Sequence, residues 1–120
     1  MQNDNSKKIY DLEKRTLEFS KRILSMARAI PKNRVNLRLT DQVVRSGTSV
    51  GANYREANET ETKKDFKFRA RICKKEAKET TYWLDLIIDE NPGFKQRIIP
   101  LVNESTELMK IFAAIIRNSK

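Results

Sequence analysis

Three glycines and three prolines in 120 residues leave this chain few places to turn, and that scarcity limits its fold more than any motif does. An all-β sandwich or barrel breaks direction about every 8–12 residues. Long helices are what remains. A chain of this length is enough for one domain with a real core.

The hydrophobic spacing divides the chain into four periodic segments. The first, residues 10–30, carries Leu12, Thr16, Phe19, Ile23, Ala27 and Ile30 at steps of three and four. Pro31 and the polar stretch through Asn36 end it. The second, residues 37–59, places Leu39, Val43, Gly47, Val50 and Tyr54 on one stripe. The third, residues 62–90, is the most regular: Phe66, Ala70, Cys73, Ala77, Thr80, Leu84 and Ile87 form a heptad seam. Asn91-Pro92-Gly93 stops it. The fourth, residues 94–118, repeats the rhythm with Ile98, Leu101, Ser105, Leu108, Phe112 and Ile115. A second row, Val102, Met109 and Ile116, widens its apolar face.

Short connections force consecutive helices to lie antiparallel, and heptad spacing implies crossing angles near ~20°. The expected fold is all-α, an antiparallel up-and-down four-helix bundle over residues 10–120, behind a disordered tail at residues 1–9. The longest apolar run, Ile111 to Ile116, is far short of the roughly 20 residues a membrane span needs. Met1 to Lys8 has no apolar core and does not read as a secretory signal. With a single cysteine, Cys73, the expected compartment is the reducing cytoplasm.

Twenty-five Lys and Arg stand against 16 Asp and Glu, a formal charge of +9. A surface of that sign attracts phosphate polyanions through counterion release and long-range steering. It would attract acidic proteins as well, so charge alone names a class of partner.

One stretch is specific enough to name a family. Leu39-Thr40-Asp41-Gln42-Val43-Val44-Arg45-Ser46-Gly47-Thr48-Ser49-Val50-Gly51-Ala52-Asn53-Tyr54-Arg55-Glu56-Ala57 closely resembles the second-helix motif of the four-helix-bundle proteins encoded in intervening sequences of bacterial 23S ribosomal RNA genes. Lys63-Lys64-Asp65-Phe66, Lys75-Glu76-Ala77, Glu79 and Tyr82-Trp83-Leu84 extend the resemblance. It runs from about Tyr10 to the C-terminus and is specific in its middle half. The family commonly has Ile-Pro or a similar pair where Val50-Gly51 stands here, and Gly where Ala57 stands. The resemblance implies an up-and-down bundle without established enzymatic activity, assembled in several members as a homopentamer around a central channel. A related branch, the accessory proteins of diversity-generating retroelements, binds nucleic acid and partners a reverse transcriptase.

Within that motif Arg45, Ser49, Asn53 and Glu56 fall on one helical face, and Glu76, Glu79 and Trp83 on a matching one. Two readings are open, an anion or RNA contact and an inter-helix polar network. The network is preferred, because carboxylates among the arginines repel phosphate. The chain has no histidine, which removes Glu-x-x-His metal sites and Ser-His or Cys-His catalysis. No metal, cofactor or catalytic residue is expected; a glutamate acid–base pair is the only enzymatic reading left. Cys73 reads as an inert core residue.

The candidate binding surface is the third segment. Lys64, Lys67, Arg71, Lys74, Lys75 and Lys78 recur at helical steps away from the Phe66–Leu84 seam, and Arg69 lies to one flank. Phe68 is the only aromatic interleaved among them, so readout of base sequence is not expected. The alternative is an ordinary solvated face. Tyr82, Trp83 and Leu86 extend apolar surface past the seam and read either as a wide core face or as an oligomer interface. Gly47 and Gly51 each cost a helix about 1 kcal/mol relative to Ala. Close approach of another backbone explains them, and an intramolecular one is preferred. The functional expectation is a non-enzymatic, homopentameric protein that binds RNA or DNA through phosphates with weak sequence preference. The alternative is a protein–protein scaffold or the accessory subunit of a nucleoprotein complex, such as one with a reverse transcriptase.

Overall fold

In the computed structural model, which describes residues 11–119, four helices share one core: α1 (Leu12–Ala29), α2 (Arg34–Asn58), α3 (Lys63–Glu90) and α4 (Lys95–Asn118). A 3-10 turn, Pro92–Phe94, joins α3 to α4, and the described residues contain no strand. The expected tail, residues 1–9, lies outside the described residues, as does Tyr10.

Local chemistry explains the boundaries. The helix α2 starts three residues earlier than its hydrophobic pattern suggests, because Asn33 adopts an extended backbone and its side chain accepts the Asn36 N–H at 2.8 Å. A side-chain N-cap of this kind is worth about 1 kcal/mol. Thr62 caps α3 in the same way, accepting the Asp65 N–H at 3.1 Å. The helix α1 stops at Ile30, held extended ahead of Pro31. Pro100 lies inside α4 and is exposed. Lacking an N–H, it leaves the Gln96 carbonyl without its helical donor, a loss water can absorb at the surface.

The bundle is antiparallel at every seam whose contacts fix a direction. Between α2 and α3, Arg45 meets Glu76 while Asn53 meets Arg69. Between α1 and α2, Gly47 faces Ile23, Gly51 faces Thr16, and Asn58 donates to Glu13 at 2.7 Å. The helices α1 and α4 meet through Arg15 and Glu104 at one level and line a common groove through Met26 and Leu101 at another. This fourth seam is the loosest of the ring. The molecule is accordingly flattened, 45 × 30 × 19 Å.

Leu12, Phe19, Ile23, Val43, Val50, Leu84, Ile87, Ile98, Leu108 and Phe112 are fully buried. Each contributes about 1.5–3 kcal/mol relative to an exposed position. Tyr54 and Phe112 meet across the centre with ring centroids 5.7 Å apart. Some expected stripe positions drift outward. In α1 the core takes Met26, and Ala27 is only half-buried. Phe66, Leu39, Val102, Met109, Ile115 and Ile116 are also half-buried. A helix of 3.6 residues per turn cannot keep a 3.5-residue stripe facing inward along its whole length.

The glycines mark where α1 lies closest to α2. A Cβ on Gly47 would fall 2.9 Å from Ile23 Cγ1, and one on Gly51 would fall 3.0 Å from Thr16 Oγ1. The approach is intramolecular. At the far end, Asn36 and Asn91 exchange two side-chain amide hydrogen bonds, each 2.9 Å, tying the first turn of α2 to the end of α3.

Candidate nucleic-acid interface

The acids and bases of α3 point in different directions. Glu76 and Glu79 face α2, where Arg45 gathers both: its Nη1 donates to Glu76 at 3.2 Å and its Nη2 donates to Glu79. The Trp83 indole N–H donates to the same Glu79 carboxylate at 3.2 Å. Glu76 is only 9% exposed, and the Arg45 charge is what makes that burial tolerable. Asn53 joins by accepting from Arg69 at 3.2 Å.

Two residues expected in this network are not in it. Glu56 is exposed and has no side-chain partner among the described residues. Ser49 bonds back to the Arg45 carbonyl at 2.7 Å within its own helix, as short hydroxyls in helices do. Contacts that sequence spacing did not reveal take up the slack. Thr80 donates to Ser46 at 2.8 Å in the buried α2–α3 seam, and Thr81 and Ser105 share a 2.7 Å hydrogen bond between α3 and α4. Small hydroxyls at seam positions were the available signal.

The outer face of α3 is left to the bases. Lys64, Arg71, Lys74, Lys75 and Lys78 are exposed and Lys67 is half-buried; none pairs with a carboxylate among the described residues. From Lys64 to Lys78 this surface runs about 21 Å along the helix. Phe68 stands among them, 60% exposed. Beyond Lys78 the same side turns acidic with Asp85 and Asp89, so the basic surface is confined to the first half of the helix.

Tyr82, at 58% exposure, packs edge-on to Trp83 with centroids 5.1 Å apart, and Trp83 and Leu86 are half-buried. Cys73 lies in the core, where burial pushes its thiol up to about 12. A thiol so reluctant to ionise is no nucleophile. Among the described residues no group able to hold a metal occurs, and no helix is long and apolar enough to cross a membrane.

Comparison with known proteins adds a family. The model of the 23S rRNA-intervening sequence protein family matches residues 8–114. Among solved structures, this chain is similar to a protein of unknown function from the S23 ribosomal protein family of Bacteroides thetaiotaomicron. The two share 35% sequence identity and a TM-score of 0.77, over 88% of this chain and 98% of the other. No curated protein matches.

Proposed function

Because this chain belongs to the family of 23S rRNA-intervening sequence proteins, we propose that it works by binding rather than catalysis, holding RNA or DNA through phosphate contacts on the outer face of α3. One observation carries the reading. Glu76 and Glu79, two of the three carboxylates between Lys63 and Glu79, are drawn to Arg45, while Lys64, Lys67, Arg71, Lys74, Lys75 and Lys78 keep their charge available. A purely solvating face has no need of such sorting. Contacts of this type read the backbone and leave sequence preference weak. Phe68 offers a single ring on which an unpaired base can stack.

Filter binding of structured RNA and duplex DNA between 50 and 200 mM salt (about the range over which phosphate contacts are most visible) tests this. Affinity should fall steeply with salt. Changing Lys67, Arg71 and Lys74 together to Glu should reduce the log–log slope by about 3 on a duplex. Retention of no nucleic acid at low salt defeats the proposal and leaves an acidic protein as the partner the basic face serves.

A second copy of the chain is the partner proposed for Tyr82, Trp83 and Leu86. The 58% exposure of Tyr82 in a lone chain supports this, since such residues are enriched where surfaces meet. The assembly is a homopentamer, and light scattering should report that mass for the wild type and a lower one for Leu86→Asp. A monomeric wild type at working concentration ends the idea.

A further inference from the structure

The seam between α1 and α4 contains a repeat with a change of sign. At one level Arg15 grips Glu104 through two hydrogen bonds, Nε at 2.7 Å and Nη2 at 2.8 Å, and the fork raises the already high guanidinium pKa further. One heptad onward in α1 and one heptad back in antiparallel α4, the same register brings Arg22 and Arg97 to a common groove. Like charges stand where the neighbouring level has an ion pair.

That groove measures about 180 Å³ and is lined by Arg22, Ser25, Met26, Arg97 and Leu101. Met26 and Leu101, 2% and 3% exposed, make an apolar floor. The two arginines are exposed, and neither pairs with a carboxylate among the described residues. Glu18, one turn before Arg22, is engaged by Lys21 at 3.5 Å. Arg97 also sits in the first turn of α4, which contains no acidic residue and has no side-chain cap. The helix dipole therefore adds to the positive potential.

Two guanidinium groups sharing a groove repel when it is empty and cooperate when it holds a dianion. A phosphate monoester carries about −1.5 to −2 charges near pH 7 and three acceptor oxygens. An internal phosphodiester carries one charge and fits the pair less well. The floor suits a flat apolar body attached to that phosphate, and Ser25 supplies a hydroxyl donor.

We propose that the α1–α4 groove binds a phosphate monoester of nucleotide size, its phosphate between Arg22 and Arg97 and its base over Met26 and Leu101. A free mononucleotide and the phosphorylated 5′ end of a strand share this chemistry. The site is separate from the outer face of α3, because α1 and α3 are diagonal in the bundle and their backbones nowhere approach within 8 Å.

The test is an NMR titration of the full-length ¹⁵N-labelled protein with adenosine monophosphate, adenosine and inorganic phosphate. Adenosine monophosphate should shift the Ser25 and Arg97 amides saturably, and adenosine should not. Arg97→Gln should weaken binding at least tenfold without lowering Tm. The triple change Lys67→Glu, Arg71→Glu, Lys74→Glu should leave it within twofold, so that this site survives even if the α3 proposal fails. An oligonucleotide with a 5′ phosphate that binds tenfold better than its 5′-hydroxyl twin identifies a strand end as the source; no gain identifies the free nucleotide. Equal shifts with adenosine, an unchanged affinity in Arg97→Gln, or binding of inorganic phosphate as tight as the nucleotide would each overturn the assignment.

Discussion

The α2–α3 seam and the α1–α4 seam solve the same packing problem with opposite electrostatics. Along α2–α3, Arg45 is matched by Glu76 and Glu79, Asn53 by Arg69, and Ser46 by Thr80. Every one of these groups has a partner within the chain. Along α1–α4, Arg15 and Glu104 are matched, but one heptad away Arg22 and Arg97 are not. Buried polar groups need partners, whereas exposed ones can leave that need to a ligand. The balanced seam therefore fixes register, and the unbalanced one keeps a charge available.

The largest test of that contrast is Glu104→Arg, which copies the unbalanced level onto the balanced one. Arg15 and Glu104 are 22% and 17% exposed at their side chains, so the lost fork and new repulsion should cost about 2–3 kcal/mol, lowering Tm by roughly 10 °C. An unchanged melting curve would show that this seam is held by its apolar contacts alone. Thr80→Val should come next, at about 1–2 kcal/mol, because Ser46 then keeps only a 3.4 Å bond to the Val43 carbonyl. Chemical denaturation reads both changes on one scale. The opposite sign is expected of Arg97→Glu, which copies the balanced level onto the unbalanced one. It should stabilise the fold by about 0.5–1 kcal/mol while abolishing nucleotide binding. Destabilisation by that change would mean Arg22 and Arg97 do not face each other as the register requires. Smallest of all is Lys74→Ala on the outer α3 face, where thermal melts should move by less than about 0.5 kcal/mol. Any loss in nucleic-acid affinity there belongs to binding and not to folding.

Features that arise from residues close in the chain could be read from the sequence, and those that arise from residues far apart could not. The four segments, the Asn91-Pro92-Gly93 break and the seam from Ala70 to Ile87 follow from periodicity and turn chemistry. So does the approach at Gly47 and Gly51, because glycine inside a helix needs a reason. Asn33 was also readable, yet the absence of an apolar residue beside it made residues 31–36 look like a loop. Arg15 and Glu104 are separated by 89 positions, and pairing them requires the relative stagger of α1 and α4. The same stagger is what brings Arg22 to Arg97, so neither level could be found before the helices were placed. Glu56 fails for a simpler reason. Shared face on a helix shows direction and not reach: Glu56 lies about three turns beyond Arg45 on the same face, yet it is exposed and unpaired among the described residues.

The contact at Gly47 constrains how this protein can change over generations. Ala is the smallest possible replacement, and even its methyl would arrive 2.9 Å from Ile23 Cγ1. The gain in helix propensity, about 1 kcal/mol, is then set against a clash of similar or larger size. A lineage that acquires a side chain at 47 must first or simultaneously trim Ile23 to Ala, because Val would keep the Cγ1 and Cγ2 atoms that lie 2.9 and 3.1 Å away. The two positions should therefore mutate as a pair, although 23 residues of chain and one reversal of direction lie between them.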